Sequence, residues 1–109
     1  MTQLQFDRRT FLLSTFALLI AGRSAESHNG VVHVTIKNLA FESSIVKVKA
    51  GWTVEWTNKD PMAHTATVQG GWEVIIPPGK RASRVITDKA NIDYYCRFHP
   101  NMKGRIEVV

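Results

Sequence analysis

Tyr94-Tyr95-Cys96-Arg97-Phe98-His99-Pro100-Asn101-Met102 sets a thiol, an imidazole and a thioether at three-residue steps. A soft thiolate, a borderline imidazole and a weak thioether together suit a copper ion that must be stable as both Cu(I) and Cu(II). The stretch lacks a second imidazole. His64, in Asp60-Pro61-Met62-Ala63-His64-Thr65, can supply it. Cys96 closes an apolar, β-prone run, Ile92-Asp93-Tyr94-Tyr95, so the ligand-bearing segment reads as a loop leaving a strand.

Outward from that loop the chain reads as strands. Val31–Lys37 alternates, with Val32, Val34 and Ile36 on one face and His33, Thr35 and Lys37 on the other. Val46–Lys49 keeps the same period, Ala50-Gly51 turns, and Trp52, Val54 and Trp56 share a face of the next strand. Asn58-Lys59-Asp60-Pro61 is a loop, His64–Val68 and Trp72–Ile76 are extended, and Pro77-Pro78-Gly79 excludes helix by removing backbone donors. Arg84–Ile86, Ile92–Cys96 and Lys103–Val109 complete the set. Seven to eight short strands joined by Gly, Pro and Asn turns predict an all-β sandwich of Greek-key type. On this pattern His64 and Cys96 both stand where a strand meets a loop, at one end of the sandwich.

The first stretch is read as an export signal preceding that domain. Arg8-Arg9 stands directly before Phe11-Leu12-Leu13, which resembles a twin-arginine signal. The apolar run Phe11–Ala21 would reach only about 16 Å as a helix, against a hydrocarbon core of roughly 30 Å, so no stable membrane span is expected. Ala25-x-Ser27 fits a signal-peptidase site. The expected division is therefore a signal-peptide helix in residues 1–27 and a domain in 28–109, located in the periplasm. The alternative, an N-terminal helix belonging to the domain, fits the arginine pair poorly. Cleavage after Ser27 would leave His28 as a terminal amine and imidazole able to chelate copper, although a frayed polar end is the simpler and preferred reading.

Of the 109 residues, 44% are hydrophobic and 21% charged, which suits one globular domain. Without residues 1–27 the chain keeps 11 Lys and Arg against 7 Asp and Glu, a net charge of +4. The basic residues are dispersed, so no nucleic acid partner is expected, and an acidic docking face on a protein fits better. Cys96 is the single cysteine. In an oxidising compartment an unpaired thiol is a liability unless buried or ligated, which independently favours a ligand role.

Taken singly, His64 reads as a structural histidine, Cys96 as core packing and Met102 as core filler. Their joint spacing points to a metal. Zinc shares the cysteine and histidine ligands, but a structural zinc site uses four strong donors and a thioether is a poor fourth. A nucleophilic cysteine activated by His99 lacks an orienting third residue.

The segments Val48-Lys49-Ala50-Gly51, Val54-Glu55-Trp56-Thr57-Asn58, Asp60-Pro61-Met62-Ala63-His64, Pro78-Gly79 and Tyr94-Tyr95-Cys96-x-x-His99-x-x-Met102-x-Gly104 resemble the blue (type 1) copper proteins of the cupredoxin superfamily. Within them the two-residue gaps look most like the amicyanin members of the amicyanin, pseudoazurin and plastocyanin group. The resemblance implies copper ligands His64, Cys96 and His99, a long axial Met102, and single-electron transfer by Cu(I)/Cu(II) cycling rather than enzymatic turnover. It also implies an exposed edge of His99, an apolar patch of Met62, Phe98 and Pro100 with a basic rim of Lys59, Arg97 and Lys103, and transient docking as a monomer. A dehydrogenase, a c-type cytochrome or a terminal oxidase would each serve as partner. The competing reading is a copper carrier, store or sensor in metal homeostasis, against which stand only 3 Met and 4 His. Two departures are expected to matter. Thr65 replaces the asparagine that many members use to brace the cysteine loop, and little sequence precedes Val31, so an N-terminal strand of longer relatives is expected to be missing.

Overall fold

The alternation of Val31–Lys37 is realised as a strand whose inward residues are Val32, Val34 and Ile36, all buried. A computed structural model of the chain describes residues 27–28 and 30–109. The elements are β1 (Ser27–His28), β2 (Val31–Lys37), β3 (Ala40–Glu42), β4 (Ile45–Val48), β5 (Thr53–Asn58), β6 (His64–Thr67), β7 (Glu73–Ile76), β8 (Arg81–Val85), β9 (Ile92–Cys96) and β10 (His99–Val108). Among the described residues there is no helix, and none therefore long and apolar enough to cross a membrane. The expected export segment lies outside the described residues apart from Ser27, and His28 is described only as part of β1.

The strands form two five-stranded sheets. One runs β1-β2-β5-β8 with β3 also on β2, and the other runs β4-β10-β9-β6-β7. Parallel pairings of β2 with β5 and of β4 with β10 make both sheets mixed. Their inner faces meet in one core: Val34, Val54 and Trp56 from the first sheet pack with Val48, Ala66, Ile92, Tyr94 and Ile106 from the second. Trp56 Nε1 donates to Tyr94 Oη across the sheets at 3.2 Å, and the Phe41 ring stands edge-on to Tyr94 at 4.8 Å. A sandwich is thus what the alternation requires, since each sheet has one apolar face to bury.

Eight of these strands overlap the expected ones, but β8 begins three residues before Arg84 and ends before Ile86, and β10 begins at His99 rather than Lys103, because the segment after Cys96, expected as a loop, turns back at once to pair with β9. The two additions are short. β1 pairs Ser27 with Val32 and His28 with Val31, so a two-residue strand does precede Val31, and the expected cleavage point after Ser27 falls within it. β3 returns along the same edge of β2, pairing Lys37 with Ala40 across a two-residue turn in which Asn38 and Leu39 both have positive φ (54° and 61°). Two left-handed residues suit the twist of a tight hairpin, but a leucine there costs about 1–2 kcal/mol and needs outside support.

Candidate metal centre

The two-residue gap between Cys96 and His99 makes a hairpin. β9 ends at Cys96, Arg97 and Phe98 turn, and His99 opens β10 directly opposite Cys96. Residues opposed in an antiparallel pair project from the same face, with Cβ atoms roughly 5 Å apart, so this spacing aims the thiol and the imidazole into one space. The register then shifts: Tyr95 pairs with Lys103, leaving Pro100, Asn101 and Met102 as a bulge. Bulges at sheet ends re-aim side chains. Met102 is turned into the core and is 4% exposed.

His64 opens β6 in the same sheet and is fully buried. Its Nδ1 lies 3.6 Å from Cys96 Sγ, and His99 Nδ1 lies 3.7 Å from the same sulfur. The three ligand atoms fall within 4.8 Å of one another, and the two imidazole rings are 5.1 Å apart between centroids. A metal about 2.3 Å from sulfur and about 2.0 Å from nitrogen, bonded at roughly 110–120°, would hold sulfur and nitrogen about 3.5–3.7 Å apart. Both sulfur–nitrogen spacings match, so the thiol with either imidazole fits one metal ion. His64 and Cys96 are buried while His99 is half-buried. His99 is therefore the donor residue that reaches toward solvent, between exposed Phe98 and Pro100 in the chain, and Met62 is exposed as well.

Asp60 fixes which nitrogen of His64 is free. Its Oδ2 accepts from His64 Nε2 at 2.8 Å, so the ring carries its proton on Nε2 and presents Nδ1 to the donors. The same carboxylate accepts the backbone N–H groups of Asn38 (2.8 Å) and Leu39 (2.9 Å), the two left-handed residues of the β2–β3 turn. These bonds, that from Leu39 foremost, hold the Asp60 carboxyl below its ordinary range. Asn58 supports the loop from within: its Oδ1 accepts Asp60 N–H, and its Nδ2 donates to the Met62, Ile76 and Pro77 carbonyls. An acid four residues before a loop histidine is a weak sequence signal for such a partner, and its role is legible only once the turn 22 residues earlier is in place.

Thr65 takes up the bracing position. Its N–H points to Cys96 Sγ at 3.4 Å, and its Oγ1 accepts the Arg97 N–H at 2.8 Å. Arg97, expected in a basic rim, is half-exposed and pairs with Glu73 through Nε at 2.7 Å and Nη2 at 3.0 Å. Lys59 and Lys103 remain exposed. Tyr94, two residues before the thiol, is buried against Gly104, where a Cβ would come within 2.8 Å of ring carbon Cε2 and nearer still to Cζ and Oη. The glycine two residues after Met102 is required by that ring.

A family model for the cupredoxin-like domain matches residues 10–108. Amicyanin-alpha of Methylorubrum extorquens is 31% identical over 99% of this chain and 99% of its own length, and amicyanin of Paracoccus denitrificans is 33% identical over 78% of this chain and 70% of its own. Among solved structures, the reduced state of an amicyanin variant superposes with a TM-score of 0.67 at 29% identity, covering 78% of this chain and 88% of that one. The Cu(I) form of another amicyanin variant gives 0.68 at 27% identity with the same coverage. The chain belongs to the cupredoxin-like family, as a blue copper cupredoxin of the amicyanin type.

Proposed function

We propose that this protein is a periplasmic electron carrier for one copper ion, which His64 Nδ1, Cys96 Sγ and His99 Nδ1 would hold, with the Met102 thioether as a fourth, weaker donor. The observation that carries this reading is the convergence of three donor atoms, one thiol and two imidazoles, within 4.8 Å at the end of a rigid sandwich. Copper supplies a one-electron couple, Cu(I)/Cu(II). The protein's part is to keep its donors nearly still when that electron arrives. Cys96 is placed by β9, His64 by β6 and by Asp60, and His99 by the hairpin, so each donor is set by backbone pairing rather than by a free loop. Four committed side chains leave no open position for a substrate, so the reading is a carrier and not an enzyme.

Half-buried His99 is the route by which electrons enter and leave. The exposed side chains of Met62 and Phe98, at 38% and 47%, form the apolar contact around it. Lys59 and Lys103 supply the positive rim, which favours a partner with an acidic face and raises the association rate most at low ionic strength. A c-type cytochrome, a dehydrogenase or a terminal oxidase carrying such a face would dock transiently on the monomer. Residues 1–27 act as a twin-arginine export signal delivering the domain from residue 28 onward. Cyclic voltammetry of the copper-loaded domain tests the carrier reading. A reversible one-electron wave is expected, and an irreversible wave or none would contradict it.

A further inference from the structure

The brace on the cysteine loop does not stop at Thr65. Arg97 N–H donates to Thr65 Oγ1 at 2.8 Å, Thr65 and Thr67 share a hydroxyl hydrogen bond at 2.8 Å, and Thr67 Oγ1 donates to Glu73 Oε1 at 2.7 Å. The direction is forced. An ionised carboxylate only accepts, so Thr67 spends its one proton on Glu73 and must accept from Thr65. Every dipole therefore points the same way, from the Arg97 peptide to the Glu73 carboxylate. The guanidinium of Arg97 then bonds both oxygens of Glu73, at 2.7 and 3.0 Å, closing a ring that begins and ends on one residue. Thr65 is fully buried and Thr67 is 9% exposed, so the middle of this ring lies away from water.

We propose that Thr65, Thr67 and Glu73 are positioning residues for the Cys96 thiolate, forming a one-way hydrogen-bond relay that anchors the Cys96–Arg97 peptide from the far side of the sheet. The proposal rests on Cys96 as a copper ligand. The Glu73–Arg97 pair by itself is half-exposed and worth little as an ion pair. Its effect reaches the thiolate through the buried hydroxyls, where aligned dipoles strengthen one another and Thr65 Oγ1 becomes a better acceptor for the loop peptide. Thr65 is held at both ends of this contact, since its own N–H points to Cys96 Sγ at 3.4 Å. That N–H draws electron density from the sulfur, which favours the reduced metal. Loosening the relay lets Thr65 drift and lowers the reduction potential.

The test has one arm without copper and one with it. In the metal-free protein, amide hydrogen exchange at Arg97 reports the peptide directly. Thr65→Val, which removes the acceptor, is expected to speed exchange about tenfold, and Thr67→Val and Glu73→Gln about threefold. Thr67→Ser, which keeps the hydroxyl, is expected to restore the wild-type rate. Because the relay is in series, Glu73→Gln should add nothing to Thr67→Val, and neither should change exchange further in the Thr65→Val background. In the copper-loaded protein the reduction potential should fall in the same order, with Thr67→Ser unshifted. Multiplicative effects of Thr67→Val and Glu73→Gln, or an unchanged Arg97 rate and potential in Thr67→Val, would overturn the relay. Should Thr65→Val not fold, the pair at residues 67 and 73 decides alone. A protein that shows the serial exchange pattern yet forms no blue complex would instead overturn the copper reading.

Discussion

Asp60→Asn removes one negative charge and exchanges an acceptor for a donor at the point where the site meets the β2–β3 turn. The wild-type carboxylate accepts three N–H groups, from Asn38 at 2.8 Å, Leu39 at 2.9 Å and His64 at 2.8 Å, and Asp60 is 7% exposed. A carboxamide has one oxygen. With it placed toward Leu39 and His64, the amide nitrogen faces the Asn38 N–H, and a buried donor is left opposite a donor at a cost of about 1–3 kcal/mol. The two surviving bonds lose their charge assistance, about 1 kcal/mol each. The expected destabilisation is therefore about 3–5 kcal/mol, a large share of the roughly 4–12 kcal/mol available to a domain of this size. With the amide reversed, its nitrogen faces His64, and a bond forms only if the imidazole moves its proton to Nδ1, the nitrogen that faces Cys96. Either orientation weakens metal binding, and loss of a partner of this kind costs about 10- to 100-fold in affinity. Urea denaturation of metal-free wild type and variant at neutral pH, with a competitive copper titration on the same samples, measures both effects. A change in stability below about 0.5 kcal/mol together with unchanged affinity would refute the assignment of Asp60 as the residue that sets His64.

Three further outcomes follow from the same geometry. Gly104→Ala drives a methyl group into the buried Tyr94 ring and displaces its bond to Trp56, so thermal denaturation should show a loss of about 2–4 kcal/mol, and a variant as stable as wild type would mean the ring can move aside. The Arg97 hydrogen bonds bring the Glu73 carboxyl down from 4.5 to about 2, so its stabilising effect is complete above the ordinary value and is lost as pH falls from 4.5 toward 2. Over that interval Glu73→Gln should lose less melting temperature than wild type, and parallel curves would show that Glu73 is uncoupled from folding. Replacing exposed Lys59 and Lys103 by Glu, a change of four charge units, should flatten the salt dependence of electron transfer, whereas Arg97→Gln, a change of one that leaves the Glu73 carboxylate unpaired, should alter it less. A larger effect from Arg97 would place the rim elsewhere.

Cys96 and His99 were readable in the sequence because their placement depends on local rules, whereas His64 was chosen for its chemistry and lies 32 residues from Cys96. A two-residue gap between Cys96 and His99 is a hairpin, and a hairpin puts both side chains on one face, so that spacing carries geometry as well as chemistry. The strands were readable for a similar reason: Val32, Val34 and Ile36 alternate because one face is buried. What stayed hidden depends on residues distant in the chain. β3 follows a turn made by Asn38 and Leu39, and a leucine in the left-handed region carries no turn signal; it is held there by Asp60, 21 residues later. The partner of His64 was invisible for the complementary reason, since a side chain four residues away in an irregular loop has no fixed direction until the turn engages it. Arg97 was expected in a rim facing a redox partner, and its pairing with Glu73 was not foreseen, because it arises only where β7 lies beside β6 and brings the carboxylate up to the loop. Thr65 was recognised as a departure, but its consequence required the hydroxyl of Thr67, one alternate position along the same strand.

Titration of the purified domain with Cu(II), followed by visible absorption, tests the central claim most directly. One equivalent should produce an intense blue thiolate-to-copper band that saturates, disappears on reduction, returns on oxidation, and is missing in Cys96→Ser. A colourless complex, or a band that survives the loss of Cys96, would contradict the assignment of His64, Cys96 and His99 as a blue copper centre.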